Sequence, residues 1–290
     1  MISTLFTTFT YALSAFALNN DLFDKLIKGN DLAALTTVRS GILFIMIGIA
    51  LTSVVGESAH FLTAKKHKMK IGVGVPLPSI QIGTFGNITP LRSFPPSRTA
   101  LFDVAMSGPI VSIMASTVMV IIGLFLTINT PVDMISKLAI APVALMKSSF
   151  FVGTIVSLLA PKIMILPLSQ PIPIHPLFFV GLSGLFASAV NLLPVGRLDG
   201  GRACTAVFGR RIAFLVSLTT LFFMAVNSLS GNSAISIFWG LLVIILQRSS
   251  EIPTRDEITE VSGTRFRTYI LSTILSICIL APFPGGAGSL

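Results

Sequence analysis

Apolar residues in this chain fall in runs of about 20, long enough for a helix to cross a hydrocarbon layer of about 30 Å. That spacing constrains the fold more than any other feature. The runs lie at about residues 2–18, 41–63, 104–127, 138–160, 177–195, 212–228, 233–247 and 268–282. Of the 290 residues, 53% are hydrophobic and 11% charged, against about 25% charged in an ordinary soluble domain. So few charges cannot cover a water-facing surface of this size. The expected fold is an all-α polytopic membrane protein with about six to eight transmembrane helices, as a single membrane domain over residues 1–290. Lys147 falls in the middle of 138–160, a costly position in lipid. That stretch reads as a shorter span beginning near Ser148 or as a hairpin that does not cross. The 233–247 run is short enough to be re-entrant.

The formal charge of +9 arises from 20 Lys and Arg against 11 Asp and Glu. In a membrane protein such an excess sets topology and meets anionic headgroups. No basic stretch is paired with an aromatic platform, so the charge does not indicate nucleic-acid binding. Cys204 and Cys278 are far apart and outside any C-x-x-C spacing, which gives neither a disulfide framework nor a thiolate metal site. The segment Met1–Phe6 is apolar at once, without the basic start of a secretory signal or the early Arg of a transit peptide. The first helix is then its own insertion signal, or the chain is a mature or truncated form.

Residues 64–103 differ in kind. Lys65, Lys66, Lys68 and Lys70 read as an anchor on one membrane face. The β-branched and small residues that follow, punctuated by Gly and Pro, predict a short β-like re-entrant or membrane-associated segment near 71–90. At membrane depth such strands must be buried in protein or line a wet cavity, and an open edge there could receive an extended peptide. A water-side hairpin with no substrate role fits the composition equally.

Three ionisable residues stand out. Gly56-Glu57-Ser58-Ala59-His60 has the form of a zinc-protease H-E-x-x-H helix with Gly56 in place of the first His. In that motif the two His, one helical turn apart, hold zinc, and the Glu between them is the general base. The second element is Asn191-Leu192-Leu193-Pro194-Val195-Gly196-Arg197-Leu198-Asp199-Gly200-Gly201. Pro194 and the glycines break the helix there, so Asp199 can point into a cavity rather than lipid. Alternatively the helix ends at the interface with Asp199 in water, and Glu57–His60 is a plain polar pair at a helix end.

With these two elements, the stretches Gly83–Pro96 and Ala100–Pro109 complete a resemblance, over about residues 41–211, to the site-2 proteases. These are intramembrane zinc metalloproteases, and the likeness is to the chloroplast branch named for ethylene-dependent gravitropism-deficient and yellow-green mutants. The resemblance implies His60 and Asp199 as zinc ligands, Glu57 as base, Asn191 as a substrate-strand contact and Gly56 as the missing ligand position. It makes residues 1–40 and 212–290 additions to the core, and implies Zn(2+), transmembrane protein substrates or partners, and a plastid membrane. His67 lies about 10 Å along a helix from His60, and His175 a full span before the Asp199 helix, so neither is placed to replace the missing ligand. With two of three ligands, zinc affinity should fall, since even a lost supporting partner costs about 10–100-fold. The expected function is therefore binding of transmembrane segments or partners with impaired or lost hydrolysis. An active intramembrane zinc endopeptidase is the alternative. A transporter, whose broken helices carry polar residues at depth, is the remote one.

Overall fold

The computed structural model describes residues 2–19, 24, 32–229 and 252–285. In chain order these form α1 (Ile2–Ala17), α2 (Leu32–Lys66), β1 (Val75–Ser79), β2 (Gly83–Ile88), α3 (Arg98–Ile128), β3 (Ala139–Pro142), α4 (Phe150–Leu159), β4 (Pro171–Ile174), α5 (Pro176–Asn191), α6 (Asp199–Phe208), α7 (Arg210–Leu229) and α8 (Gly263–Leu280), with short helical turns between. Among the described residues, α2 and α3 are long and apolar enough to cross a membrane, while α1, α4 and α5 are shorter apolar helices.

The expected run at 138–160 is not one helix. Ala139–Pro142 is a strand, paired antiparallel with Pro171–Ile174, and α4 begins only at Phe150, capped by the Ser149 side chain. Ten residues of helix rise about 15 Å, half a bilayer. Pro142 and Lys147 account for the break, one by removing a backbone donor and the other by resisting lipid. This second sheet corrects the expectation of strands near 71–90 alone. The 233–247 run lies outside the described residues. The expected hairpin forms, with β1 and β2 antiparallel and a register shift between Pro76 and Pro78. Cys204 and Cys278 are free thiols.

The core centres on α3 and α5, which pack with backbones in near contact. Gly181 of α5 meets the main chain of Ser116 and Val120, and Gly123 of α3 meets the main chain of Phe178. Small residues are the means by which helices in lipid approach closely enough for packing to hold them. The hairpin is tied to this core from two sides. Thr7 of α1 donates its hydroxyl to the Gly83 carbonyl at 2.7 Å, and Ser183 of α5 donates to the Ile82 carbonyl at 2.5 Å. Phe85 is fully buried between them. The hairpin is therefore set in protein, as irregular backbone at depth requires. Helix α8 braces the far side through Ser276, whose hydroxyl donates to the Ala189 carbonyl at 2.7 Å. It also carries Arg265, which holds Asp103 with two bonds of 2.7 and 2.9 Å.

A side chain at Gly181 would meet backbone atoms that cannot rotate aside, at 2.7 Å. Gly181→Leu should therefore cost about 3 kcal/mol, the upper range for overpacking, and lower the melting temperature in detergent by roughly 6–12 °C. Gly263→Ala, which meets nothing within 4 Å, should leave it unchanged. Equal melting temperatures for Gly181→Leu and the unaltered protein would contradict the packing described.

Candidate active site

Helix α2 carries Gly56, Glu57 and His60 past the middle of its length. With 3.6 residues per turn, positions 56 and 60 share one face, and that face packs on α3. Each level of the contact pairs a glycine with a polar side chain. His60 lies against Gly108, whose missing Cβ makes room for the ring. Gly56 lies against Ser112, whose Oγ is 2.5 Å from where a Cβ at position 56 would stand.

The His60 ring is oriented from behind. Its Nδ1 is 2.7 Å from the Val104 carbonyl, which can only accept, so Nδ1 carries the hydrogen and donates. Nε2 faces the opposite way, 3.3 Å from Oδ2 of Asp199. Two groups that both offer lone pairs at that distance need a proton or a metal cation between them. Asp199 is the first residue of α6 and is placed there by the break after Asn191. Gly196 takes a positive φ of 51° in the turn. Gly200 and Gly201 let α6 press on the carbonyls of Leu192, Leu193, Val195 and Gly196. The other end of α6 is held by Arg98, whose Nε and Nη2 donate to the Ala206 and Val207 carbonyls, each at 2.7 Å, as suits a cation at a helix C-terminus.

Glu57 points toward the hairpin. Its Oε1 accepts from the Thr89 hydroxyl at 2.7 Å, and the backbone of Gly74 passes so close that a Cβ there would strike the carboxylate. The Thr89 carbonyl in turn accepts from Nη1 of Arg202 at 2.8 Å, and the same nitrogen is 3.8 Å from Oδ1 of Asp199. His60, Asp199 and Arg202 are all buried. The buried Asp199 carboxylate and the half-buried Glu57 thus lie with one guanidinium and the proton or cation that joins His60 to Asp199, which leaves the cluster near neutrality, the condition under which buried charges persist. Asn191 is also buried, and it packs on Gly86 of β2, where a positive φ of 83° and the closeness of the Asn191 amide both require glycine. Glu57, His60, Gly86, Asn191 and Asp199 line a cavity of about 50 Å³, room for a few waters.

The five residues singled out from sequence, Gly56, Glu57, His60, Asn191 and Asp199, therefore line one cavity. Sequence reasoning missed Thr89, Val104 and Arg202. Arg202 could have been found from its position three residues after Asp199 on one helix face. Thr89 could not, because its role arises from how the hairpin folds back. His67 and His175 lie elsewhere. His67 is 3.1 Å from Asp103, and the Nδ1 of His175 accepts from the Leu177 N–H at the start of α5.

A catalytic zinc takes three protein ligands and a water. His60 and Asp199 supply two. Gly56 has no side chain, and the space before it is held by the Ser112 hydroxyl. Among the described residues no group of three or more His, Cys, Asp or Glu is arranged to hold a metal. The set is one donor short of that requirement.

The chain matches the family model described as Peptidase family M50 over residues 44–227, a stretch containing all five cavity residues. It is similar to the Oryza sativa subsp. japonica protein named probable zinc metalloprotease EGY1, chloroplastic, with 34% identity over 236 residues, covering 81% of this chain and 40% of the relative. The protein of the same name from Arabidopsis thaliana is 34% identical over 226 residues, covering 78% and 40%. The Arabidopsis thaliana protein named probable zinc metallopeptidase EGY3, chloroplastic, is 32% identical over 241 residues, covering 81% and 41%. The chain spans about 40% of the length of these curated relatives. No solved structure matches it. Matched by the family model along more than half its length, and identical at about a third of the aligned positions to proteins named as zinc metalloproteases, this chain belongs to peptidase family M50, the site-2 proteases.

Proposed function

We propose that this chain is a site-2-protease homologue in which zinc-dependent peptide-bond hydrolysis is impaired or lost, and that it binds transmembrane segments or partner proteins. The observation that carries this reading is the donor count. His60 and Asp199 face one another beside Glu57, while position 56 offers nothing and Ser112 stands where a third ligand would reach. With two protein ligands a metal would be held loosely, and its geometry would rest on solvent. The names of the relatives support a plastid membrane as the setting.

The binding half of the proposal rests on the hairpin and on Asn191. Strand β2 runs past the cavity with Gly86 against the Asn191 amide, an arrangement suited to hold an extended main chain by hydrogen bonds. Asn191 is proposed as a contact to that chain and Glu57 as the base that an active site of this shape would use. One observation favours the second reading, an active intramembrane zinc endopeptidase: Glu57 is kept within the cavity and oriented by Thr89, as a working base would be.

The purified protein should hold well under one zinc per chain by elemental analysis. Gly56→His alone should raise that content less than Gly56→His combined with Ser112→Gly, which clears the facing side chain. Stoichiometric zinc in the unaltered protein, together with cleavage of a single-span substrate that Glu57→Gln abolishes, would overturn the first reading. Asn191→Ala should weaken capture of a single-span peptide by roughly threefold to tenfold, the worth of one or two hydrogen bonds, without altering zinc content. Unchanged peptide affinity in that variant would remove Asn191 from the proposal.

A further inference from the structure

We propose that the open groove between α1, α2 and the hairpin is a binding site for one anionic membrane lipid, with its headgroup on Lys65 and Lys66 and an acyl chain running down α2 across Glu57. Among the described residues the groove has a volume of about 1070 Å³, at the upper end for a ligand pocket. Its long wall is a stripe of α2 at helical spacing, Met46, Ala50, Val54, Phe61 and Leu62, faced by Val73 of the segment leading into the hairpin. Phe61 is 59% exposed, Leu62 65% and Val73 86%. A concave surface this apolar takes hydrocarbon, not water.

Charge selects the kind of lipid. Lys65 and Lys66 lie one turn beyond Phe61 and Leu62 on the same helix, at the water end of the stripe. Lys68 and Lys70 follow, just before the groove residues Ile71–Gly74. All four lysines are exposed, and none is paired with a carboxylate among the described residues. Such a cluster attracts an anionic headgroup at about 1 kcal/mol, or fivefold, per lysine at low salt.

The lengths agree. From Lys66 to Glu57 is nine residues of helix, about 14 Å, close to the depth of one leaflet, half of about 30 Å. A chain anchored at the lysines therefore passes directly over Glu57 before it ends, and covers the side of the site that opens to the bilayer. The lipid would occupy the path by which a transmembrane segment approaches the cavity. The assignment does not depend on whether the site cleaves peptides or holds zinc.

The test uses the full chain in mixed phosphatidylglycerol–phosphatidylcholine nanodiscs, with either lipid carrying a photoreactive group at the end of an acyl chain. The phosphatidylglycerol probe should label the 54–62 stripe of α2 about tenfold more than α3 at Met114 and Val118, which are exposed and do not line this groove. Lys65→Gln with Lys66→Gln, which removes two such attractions, should lower the stripe labelling to the level at Met114 and Val118. Ser58→Trp, which fills the groove beside Glu57 within reach of the chain and keeps the lysines, should lower it as well. Equal labelling of both helices, equal labelling by phosphatidylcholine, or labelling unaffected by both variants would overturn the proposal. So would a photoreactive single-span peptide labelling the stripe without displacing phosphatidylglycerol.

Discussion

The contact on which the site depends is the 3.3 Å approach of His60 Nε2 to Asp199 Oδ2. It joins α2 to α6, elements separated by more than a hundred residues, at a depth where neither ionisable group would be tolerated alone. The Val104 carbonyl fixes the ring from behind and so determines which nitrogen faces the carboxylate. Arg202 approaches Asp199 from its other side and continues through the Thr89 carbonyl to the hydroxyl that holds Glu57. Four elements thus share one polar circuit. Glu57 accepts from Thr89 and His60 is fixed by the Val104 carbonyl, the kind of shared bonding that rigidifies a buried site.

The surrounding fold is arranged so that this circuit can close. Gly108 admits the imidazole, Gly74 admits the Glu57 carboxylate, and Gly200 and Gly201 seat α6 on the turn that precedes it. At Gly56 the same device has a different consequence. The glycine there accommodates the Ser112 hydroxyl, so position 56 is a close helix–helix contact. Any side chain placed at position 56 would meet Ser112.

Much of this was legible in the residues. The i,i+4 spacing of positions 56 and 60 fixes one helix face whatever the tertiary structure, and the Pro194–Gly201 break marks where a carboxylate can leave the lipid. Strands near 71–90 followed from Gly, Pro and β-branched residues, because those types have local preferences that burial does not reverse. The strand at 139–142 was not legible. Ala, Ile, Ala and Pro have no strong strand signal, and their pairing with 171–174 is a long-range event. Thr89 and Val104 escaped for the same reason, since one acts through a side-chain bond to a distant helix and the other through a backbone carbonyl. Periodicity alone also does not show where an apolar run is broken. Apolar runs such as 138–160 become short pieces packed on α3 and α8 once Pro and Lys interrupt them.

If zinc binding is impaired as proposed, α2 and α6 stay joined at His60 and Asp199 without the metal. Thermal unfolding of the purified protein with and without a strong zinc chelator tests this most directly, because any ion bound to the native state alone adds stability that chelation removes. The account predicts the same melting temperature in both, within about 1 °C. A chelator-induced fall of several degrees, reversed by added zinc, would contradict it.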